Sequence, residues 1–289
     1  MAKIAFIGLG VMGFPMAGHL QAKGHDVTVF NRTKAKAEDW ATRYGGKMAL
    51  TPQSAAASAD YVMTCVGNDN DLRQVVLGSD GIFAGMRQGA VAIDHTTASA
   101  TIARDLDKEA QKRGFSFIDA PVSGGQAGAE NGQLGIMCGG DAGVFAQAKP
   151  VLDSYAKACV LIGPVGSGQL TKMVNQICIA GLVQGLAEAM NFGQKAGLDM
   201  EKVLAVISKG AAQSWQMENR GKTMCEGKFD FGFAVDWMRK DLGICLDESR
   251  HNGARLPVAG LVDQFYAQLQ ERSHGRWDTS SLMNILGEP

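Results

Sequence analysis

The chain has 289 residues, of which 28 are basic and 29 acidic, so its formal net charge is −1. Proteins that bind nucleic acids or anionic membranes usually carry a basic excess or a basic stripe, and this near balance argues against both partners. Hydrophobic residues make up 46% of the chain, enough for the core of one large domain or two smaller ones. The 37 glycines exceed the usual share of roughly 7% and indicate positions where the backbone needs freedom or close approach.

The first residues, MAKIAFIG, lead through a short apolar run directly into glycines, without the cleavage site of a secretory signal. Uninterrupted apolar runs stay well short of the roughly 18–20 residues of a transmembrane helix. We therefore expect a cytoplasmic protein. The six cysteines and five histidines lack the C-x-x-C or H-x-x-x-H spacing of a metal site, so no bound metal is expected.

Up to about residue 162, short β-rich runs alternate with helical stretches. The runs typical of strands are Lys3–Ile7, Asp26–Phe30, Tyr61–Val66, Ala90–Asp94, Phe115–Asp119, Leu134–Cys138 and Ala158–Ile162. The helical stretches are Met12–Lys23, Lys34–Tyr44, Ala100–Arg113 and Gly143–Ala156. This alternation predicts an α/β domain with a mostly parallel sheet and helices on both faces.

After a glycine-rich segment at 163–168 the β-rich runs stop, and the proline-free segment Gln169–Ala196 predicts one long interdomain helix. Apolar residues nearly surround its axis, so we expect several neighbours to bury it. The further helices predicted are Met200–Lys209, Ala234–His251, Pro257–Arg272 and Thr279–Leu286. Burying the long helix favours a homo-oligomer, a dimer or tetramer, although burial within one chain stays open.

The first strand-to-helix junction reads Gly8-Leu9-Gly10-Val11-Met12-Gly13, the G-x-G-x-x-G spacing of a dinucleotide-binding loop. Gly8 permits a tight turn, Gly10 lets a pyrophosphate approach the backbone, and Gly13 lets the helix pack close to the strand. The helix N-terminus then offers N–H groups and partial positive charge to the phosphates. We therefore predict that residues 8–13 bind a dinucleotide cofactor.

The second predicted strand ends at Phe30 and is followed by Asn31, Arg32 and Thr33. An NAD-selective site normally has Asp or Glu here to bind the ribose hydroxyls, and these three positions have neither. Arg32 could instead bind a 2′-phosphate as a bidentate pair, with Asn31 and Thr33 donating hydrogen bonds. The pattern favours NADP(H), with NAD(H) as a second cofactor; the alternative is that Arg32 only belongs to a solvated helix start.

Lys172, Asn175 and Gln176 lie at positions i, i+3 and i+4 of the long helix and form a polar stripe on an apolar segment. A lysine is costly to bury without a role, which favours a functional lysine over one that reaches solvent with its end. Earlier in the chain, the segment Pro121–Gly125 reads Pro-Val-Ser-Gly-Gly and fits either a nest of N–H groups for an anion or an ordinary turn.

The block Phe6–Ala17 and three later motifs together resemble the β-hydroxyacid dehydrogenases, the family of 3-hydroxyisobutyrate dehydrogenase, tartronate semialdehyde reductase and the glyoxylate/succinic semialdehyde reductases. The later motifs are Asp119–Gly125, Gly168–Gln176 and Met238–Leu242. The resemblance spans essentially the whole chain. It implies a 6-phosphogluconate dehydrogenase-like fold, with an NADP-binding Rossmann domain over 1–162 and an all-α substrate and oligomerisation domain over 163–289.

The resemblance also implies residue roles. Lys172 would be the general acid and base, Asn175 would orient the substrate, and Ser123, Gly124 and Gly125 would bind its carboxylate. The further cofactor contacts that it implies are Val66, Gly67, Thr97 and Lys240.

The activity expected from these roles is hydride transfer between NADP(H) and a small carboxylate-bearing semialdehyde or β-hydroxy acid. An imine reductase of the same architecture is one alternative, although that family generally lacks a lysine at the position of Lys172. A non-catalytic NADP-binding partner protein is another, and such members of the family tend to lose the lysine too.

Overall fold

The computed structural model describes residues 1–287, which form two compact units, one from Met1 to Lys172 and one from Met173 onward. The first unit contains a sheet whose strands are β1 (Lys3–Ile7), β2 (Asp26–Phe30), β3 (Lys47–Met48), β4 (Tyr61–Thr64), β5 (Val91–Asp94), β6 (Ser116–Asp119), β7 (Val122–Ser123), β8 (Leu134–Gly139) and β9 (Ala156–Gly163). The strand order is β3-β2-β1-β4-β5-β6-β8-β7, and β9 pairs with β8. Strands β1 to β6 run parallel to one another, β8 is antiparallel to β6 and β7, and β9 is parallel to β8, which confirms a mostly parallel sheet.

Helices cover this sheet on both faces. They are α1 (Gly13–Ala22), α2 (Lys34–Tyr44), α3 (Pro52–Ala56), α4 (Asp69–Leu77), α5 (Ile82–Gly85), α6 (Ala100–Lys112), α7 (Gly125–Glu130) and α8 (Ala142–Leu152). Alternate residues of β1 pack into different clusters: Ile4 and Phe6 lie with Trp40 on one face, and Ala5 and Ile7 lie in the cluster on the other. The strand is apolar at successive positions because both of its faces are covered.

One predicted helix is too long. The stretch Gly143–Ala156 was expected to be helical throughout, but α8 ends at Leu152 and β9 already begins at Ala156. The side chain of Asp141 starts α8 by accepting hydrogen bonds from the N–H groups of Gly143 and Val144. A short run of Ala, Val and Leu suits either a helix or a buried strand, so the hydrophobic pattern did not locate the boundary.

The second unit is helical over the described residues, as expected. The long helix α9 (Ser167–Lys195) begins in the first unit and continues into the second. It is followed by α10 (Met200–Ile207), α11 (Trp215–Cys225), α12 (Val235–Asn252), α13 (Pro257–Glu271) and a helix of the tighter 3₁₀ type (Thr279–Leu286). The core of the unit includes Val183, Met190, Met238 and Tyr266.

Helix α9 differs from the expectation in two ways. The helix is not buried on all sides, because Val174 is 61% exposed, Leu182 is 38% exposed, and Cys178 between them is exposed. The helix also contains an 18-residue window with a mean hydropathy of 1.2. By length and composition it could therefore cross a membrane, whereas the apolar runs of the sequence were expected to be too short for this. This is weak evidence for a span, because 44% of that window is buried within the protein and a core helix passes the same test.

Candidate functional site

The predicted cofactor residues of the first unit all follow the carboxyl ends of adjacent parallel strands. Strand pairing places Ile7 beside Phe30 and Thr64, and Thr64 beside Asp94. The segments that follow these positions are 8–13, 31–33, 66–67 and the loop with Thr97. They therefore start from one edge of the sheet, which is where open α/β sheets bind ligands.

Two glycines of the first loop, Gly8 and Gly13, are needed for close packing, and the third, Gly10, faces open space. Gly8 has a φ of +98°, and a Cβ there would lie 2.2 Å from the carbonyl oxygen of Cys65. A Cβ on Gly13 would lie 2.0 Å from the carbonyl oxygen of Gly8, whereas a Cβ on Gly10 would have no neighbour within 4 Å among the described residues. Helix α1 starts at Gly13, and none of the described side chains caps it. The loop thus fits a dinucleotide, because space and N–H donors coincide where phosphates would lie.

The segment after β2 combines one fixed side chain and one exposed side chain. The Asn31 Oδ1 accepts a hydrogen bond from the Leu9 N–H at 2.9 Å, and its Nδ2 donates to the Thr33 carbonyl at 3.0 Å. Arg32 has a side chain that is 87% exposed and lies 3.4 Å from an Asp71 carboxylate oxygen. Exposed pairs of this kind contribute little stability, so the guanidinium can move to another anion.

The loops after β4 and β5 are tied together by Thr96. Its Oγ1 accepts from the Val66 N–H at 3.0 Å, and its own N–H donates to Asp94 Oδ1 at 3.0 Å. Burial raises the pKa of Asp94 to about 7. The loops with Val66 and Thr97, predicted separately, therefore form one connected structure.

The first residue after β5 is a buried, neutral histidine. His95 is buried, and its ring nitrogens lie 2.7 Å from the Ala120 carbonyl oxygen and 2.8 Å from the Tyr155 hydroxyl. Burial lowers the pKa of His95 to about 4, so the ring is uncharged at neutral pH. A neutral ring needs one donor and one acceptor position, and these two partners can supply both.

Asp119 ends β6 and accepts the backbone N–H groups at the start of α9. Its Oδ1 accepts from Gly166 and its Oδ2 from Gln169, each at 2.8 Å. Burial raises the pKa of Asp119 to about 6. A Cβ on Gly168 would lie 2.6 Å from the Asp119 carbonyl oxygen, so glycine is required for this approach. The start of α9 is therefore fixed to the carboxyl edge of the sheet.

The predicted catalytic lysine follows directly on this fixed start. Lys172 is 8% exposed, which makes it one of the buried polar residues of α9 together with Gln169 and Gln176. A buried lysine needs partners or a role because burial of the charged form is costly.

The predicted carboxylate-binding segment begins in β7. Ser123 pairs with Gly135 of β8, and its side chain is partly buried. The next residues, Gly124 and Gly125, are exposed and have φ values of +131° and +62°. Both values lie in the region that favours glycine, so this turn requires the Gly-Gly pair.

In the second unit, one hydrogen-bonded chain connects the remaining two predicted residues. Asn175 Nδ2 donates to Gln176 Oε1 at 2.8 Å, and Gln176 Nε2 donates to Asp241 Oδ2 at 2.6 Å. The other oxygen of Asp241 lies 2.9 Å from Lys240 Nζ. Asn175 and Lys240, distant in sequence, thus belong to one polar network, whose middle members Gln176 and Asp241 are buried.

Sequence reasoning did not select Asp119, Asp94, Gln169 or Asp241 as site residues. Asp94 and Asp119 are charged residues at the ends of buried strands, a signal that could have been used, since buried carboxylates need partners. Gln169 carries no such signal, because its partners are 71 and 73 positions away in sequence.

A mostly parallel sheet with a glycine-rich first turn at its carboxyl edge defines the class of dinucleotide-binding proteins. Residues 3–163 match the family model of the NAD binding domain of 6-phosphogluconate dehydrogenase. Residues 166–286 match the model described as "NAD-binding of NADP-dependent 3-hydroxyisobutyrate dehydrogenase". The chain belongs to the β-hydroxyacid dehydrogenase family and is an NAD(P)-dependent enzyme of that family.

Individual relatives match along nearly the whole chain. An "Uncharacterized oxidoreductase" of Shewanella frigidimarina is 66% identical, covering 99% of this chain and 98% of the relative. The Arabidopsis thaliana protein named "Probable 3-hydroxyisobutyrate dehydrogenase-like 1, mitochondrial" is 42% identical over 98% of this chain and 85% of its own length. A solved structure of Mycobacterium tuberculosis 3-hydroxyisobutyrate dehydrogenase with L-serine is 31% identical, covers 100% of both chains and has a TM-score of 0.89.

Proposed function

We propose that the protein is an NADP(H)-preferring oxidoreductase that transfers a hydride between nicotinamide and a small carboxylate-bearing semialdehyde or β-hydroxy acid, with Lys172 as general acid and base. The observation that carries this proposal is the burial of Lys172, at 8% exposure, a few residues after a helix start that Asp119 fixes to the sheet edge with the dinucleotide loop. The M. tuberculosis relative supports the substrate class, because L-serine in its structure is itself a β-hydroxy carboxylate.

The chemistry assigns one task to each group of residues. When bound, the nicotinamide ring supplies or accepts the hydride. Reduction of an aldehyde leaves negative charge on its oxygen, and Lys172 would donate the proton that neutralises it; in alcohol oxidation the neutral amine would take the proton back. Asn175 would orient the reacting oxygen, and Ser123 with the N–H groups of Gly124 and Gly125 would bind the carboxylate.

The cofactor would be held by the first unit. Residues Gly8 to Gly13 would bind the pyrophosphate, Val66, Gly67 and Thr97 the nicotinamide half, and Lys240 of the second unit would approach the same half. Arg32, with Asn31 and Thr33, would bind the 2′-phosphate of NADP(H), which fits both the absence of Asp and Glu at these positions and the exposed guanidinium. The description of the second matching family model, which names an NADP-dependent enzyme, supports this preference.

A substrate screen tests the activity directly. Glyoxylate, succinic semialdehyde, tartronate semialdehyde, methylmalonate semialdehyde and sulfolactaldehyde would each be mixed with enzyme and NADPH or NADH, and absorbance at about 340 nm followed. We expect turnover of at least one aldehyde, faster with NADPH. A cyclic imine is added to the panel as a further substrate. A flat trace with every compound would favour a non-catalytic NADP-binding protein, and turnover of the cyclic imine alone would favour an imine reductase.

The cofactor preference has its own test in Arg32→Asp. Loss of a charged hydrogen-bonding partner costs about 1.5–3 kcal/mol, so we expect the KM for NADPH to rise by about 10- to 100-fold and the KM for NADH to change far less. The exposed Arg276→Asp is the matched control, because it makes the same charge change outside the loop. Equal effects of Arg32→Asp on the two cofactors would contradict the assignment.

We also propose that the protein forms a homo-oligomer through the second unit. Val174, Cys178 and Leu182 of α9 form an exposed stripe, and α13 adds Val258 and Leu261, which are 57% and 55% exposed. The two stripes adjoin, since a Cβ on Gly181 would lie 3.4 Å from Val258. Contiguous apolar surface of this kind marks an interaction site. Light scattering should give a mass of a dimer or tetramer, and Leu182→Glu with Leu261→Glu should lower it.

The cytoplasm is the compartment that we propose. The formal charge of −1 offers no attraction to anionic membranes, and the Shewanella relative, an oxidoreductase of a bacterium, matches over 99% of the chain. Fractionation of expressing cells should place the activity in the supernatant after removal of membranes, and sedimentation with the membranes would contradict this localisation.

A further inference from the structure

Gln169 is fully buried in the first turn of α9, and its side chain binds the loop that follows β5. Its Nε2 donates to the Thr96 carbonyl oxygen at 2.7 Å, and its Oε1 accepts from the Ala98 N–H at 3.1 Å. The two bonds bracket Thr97, the predicted cofactor contact. Only one orientation of the amide serves both partners, because a carbonyl needs a donor and an N–H needs an acceptor.

The backbone of Gln169 is held as well. Its N–H donates to Asp119 Oδ2 at 2.8 Å, so the residue is bound to the end of β6 through its main chain and to the β5 loop through its side chain. Lys172 lies three positions further along the helix, on the same side, since residues at i and i+3 are neighbours on a helix surface. Gln169 therefore joins the helical turn that carries the predicted proton donor to the loop that carries Thr97.

The loop held by Gln169 extends the connection further. Thr96 accepts a hydrogen bond from Val66 N–H at 3.0 Å, so the loop after β4 is linked to the same point. Both loops that are predicted to contact the nicotinamide half of the cofactor are thus connected to the start of α9.

We infer that Gln169 is a positioning residue that fixes the loop after β5, which carries Thr97, relative to Lys172. The inference rests on the proposed function, because it takes Thr97 and Lys172 in the roles given above. Reacting atoms must come within about 3–3.5 Å, and a misplacement of about 1 Å can cost about 10²-fold in rate. A buried amide with two fixed partners holds the helix and the loop to that tolerance, whereas an apolar side chain of the same size would leave both partners without a bond.

The first test uses the cofactor-free protein and needs no activity. Gln169→Leu keeps the size of the side chain and removes both bonds, and hydrogen–deuterium exchange would be followed in the peptide that covers residues 95–99. We expect the Ala98 amide to exchange at least ~10-fold faster, because its acceptor is gone. The control Gln184→Leu removes another buried glutamine of α9 and should leave this exchange unchanged. Exchange within about twofold of the parent in Gln169→Leu overturns the inference.

The second test measures the dissociation constant of NADPH by fluorescence and kcat with the best aldehyde, both well below the unfolding temperature. In Gln169→Leu we expect the dissociation constant to rise and kcat to fall by about 10-fold each, since helix and loop lose their common support. Gln169→Asn, whose shorter amide reaches one partner at most, should fall between Gln169→Leu and the parent, and Gln184→Leu should change neither quantity.

The outcomes separate a positioning role from a structural one. A lower melting temperature in Gln169→Leu with both quantities within about twofold of the parent identifies a structural residue and overturns the inference. If Gln169→Leu does not fold, Gln169→Asn is judged by the same thresholds. If the parent reduces none of the aldehydes, the proposed function fails, and amide exchange with NADPH binding decides on Gln169 alone.

Discussion

Two helices begin at the carboxyl edge of the same sheet, and their first turns are satisfied in different ways. Helix α1 starts at Gly13 with no capping side chain among the described residues, so its N-terminal end stays open to an anion. The start of helix α9 is held by Asp119, whose carboxylate already accepts hydrogen bonds from the N–H groups of Gly166 and Gln169. Both use the attraction of a helix N-terminus for negative charge. The N-terminus of α1 is left open for a ligand, whereas the N-terminus of α9 is occupied by a carboxylate of the protein, which fixes the helix.

Removal of Lys172 should have the largest effect on activity and should separate the role of α9 from that of α1. If α9 is the fixed support of the proton donor and α1 the binding site, Lys172→Ala should lower kcat by at least ~10² because general acid–base catalysis is lost. The dissociation constant of NADPH should stay within about twofold of the parent, since the phosphates bind at α1. Stopped-flow absorbance and fluorescence titration measure the two quantities. The exposed Lys209→Ala is the control, and retained turnover in Lys172→Ala would refute the catalytic role.

Asp119→Ala should have the next largest effect, on stability. It leaves the N–H groups of Gly166 and Gln169 without acceptors, and each unsatisfied buried donor costs about 1–3 kcal/mol. We expect the free energy of unfolding in urea to fall by about 2–4 kcal/mol, with a smaller loss in Asp119→Asn, which keeps one acceptor. The matched control is Asp141, which caps α8 through exposed hydrogen bonds. An equal loss of unfolding free energy in Asp141→Ala would show that burial of the cap does not matter.

Substitutions of two glycines at the N-terminus of α1 should separate effects on NADPH binding from effects on stability. Gly10→Ala places a methyl group where no described atom lies within 4 Å, so it should weaken NADPH binding by at least ~10-fold with little change in stability. Gly13→Ala places its methyl group 2.0 Å from the Gly8 carbonyl oxygen, and overpacking of this kind costs about 1–3 kcal/mol. Thermal unfolding and NADPH titration of both variants decide; equal destabilisation by both would contradict the assigned roles.

The smallest effect concerns pH. The pKa of Asp119 is raised to about 6 from 3.8, so the folded state binds the proton more tightly than the unfolded chain. The stabilisation from this group is fully present below about pH 4 and is lost as pH rises through about 6. The unfolding free energy of the parent minus that of Asp119→Asn should therefore fall by about 1 kcal/mol between pH 5 and pH 7. His95 titrates in both proteins and cancels. Asp94 cancels apart from its repulsion by the Asp119 carboxylate, which raises the pKa of Asp94 in the parent and adds to the fall with pH. A difference that rises with pH would reverse the sign and contradict the assignment.

The sequence predicted the elements whose periodicity is strong and whose ends carry turn residues. The bounds of β1, β2 and α2 are those expected, because the apolar runs of β1 and β2 end at Gly8 and Asn31 and helix α2 ends at Gly45. The short elements β3, β7, α3 and α5 were not predicted, since two to five residues are too few for a period to be read. Helix α11 was also not predicted, because its residues are mostly polar.

The site was predictable where a local motif defines it. Gly8, Gly10 and Gly13 required only spacing, and the conformations found at this loop explain that spacing. The contact between Asp119 and Gln169 joins residues 50 positions apart, and no pattern in a single sequence connects them. The exposed residues of α9 were not predictable in the same way. Hydrophobic residues on all sides of a helix indicate that it is buried by other elements, but they do not indicate which sides the same chain buries.

The side chain of Asn31 has a practical consequence for redesigning cofactor use. Its amide spans the Leu9 N–H and the Thr33 carbonyl, so it holds the glycine loop in shape before any nucleotide arrives. A preorganised loop spends little binding energy on its own ordering. An acidic residue introduced at 31 to favour NADH would keep the acceptor for Leu9 but lose the donor to Thr33. Position 32, whose side chain points to solvent, is therefore the better place to change specificity without loosening the loop.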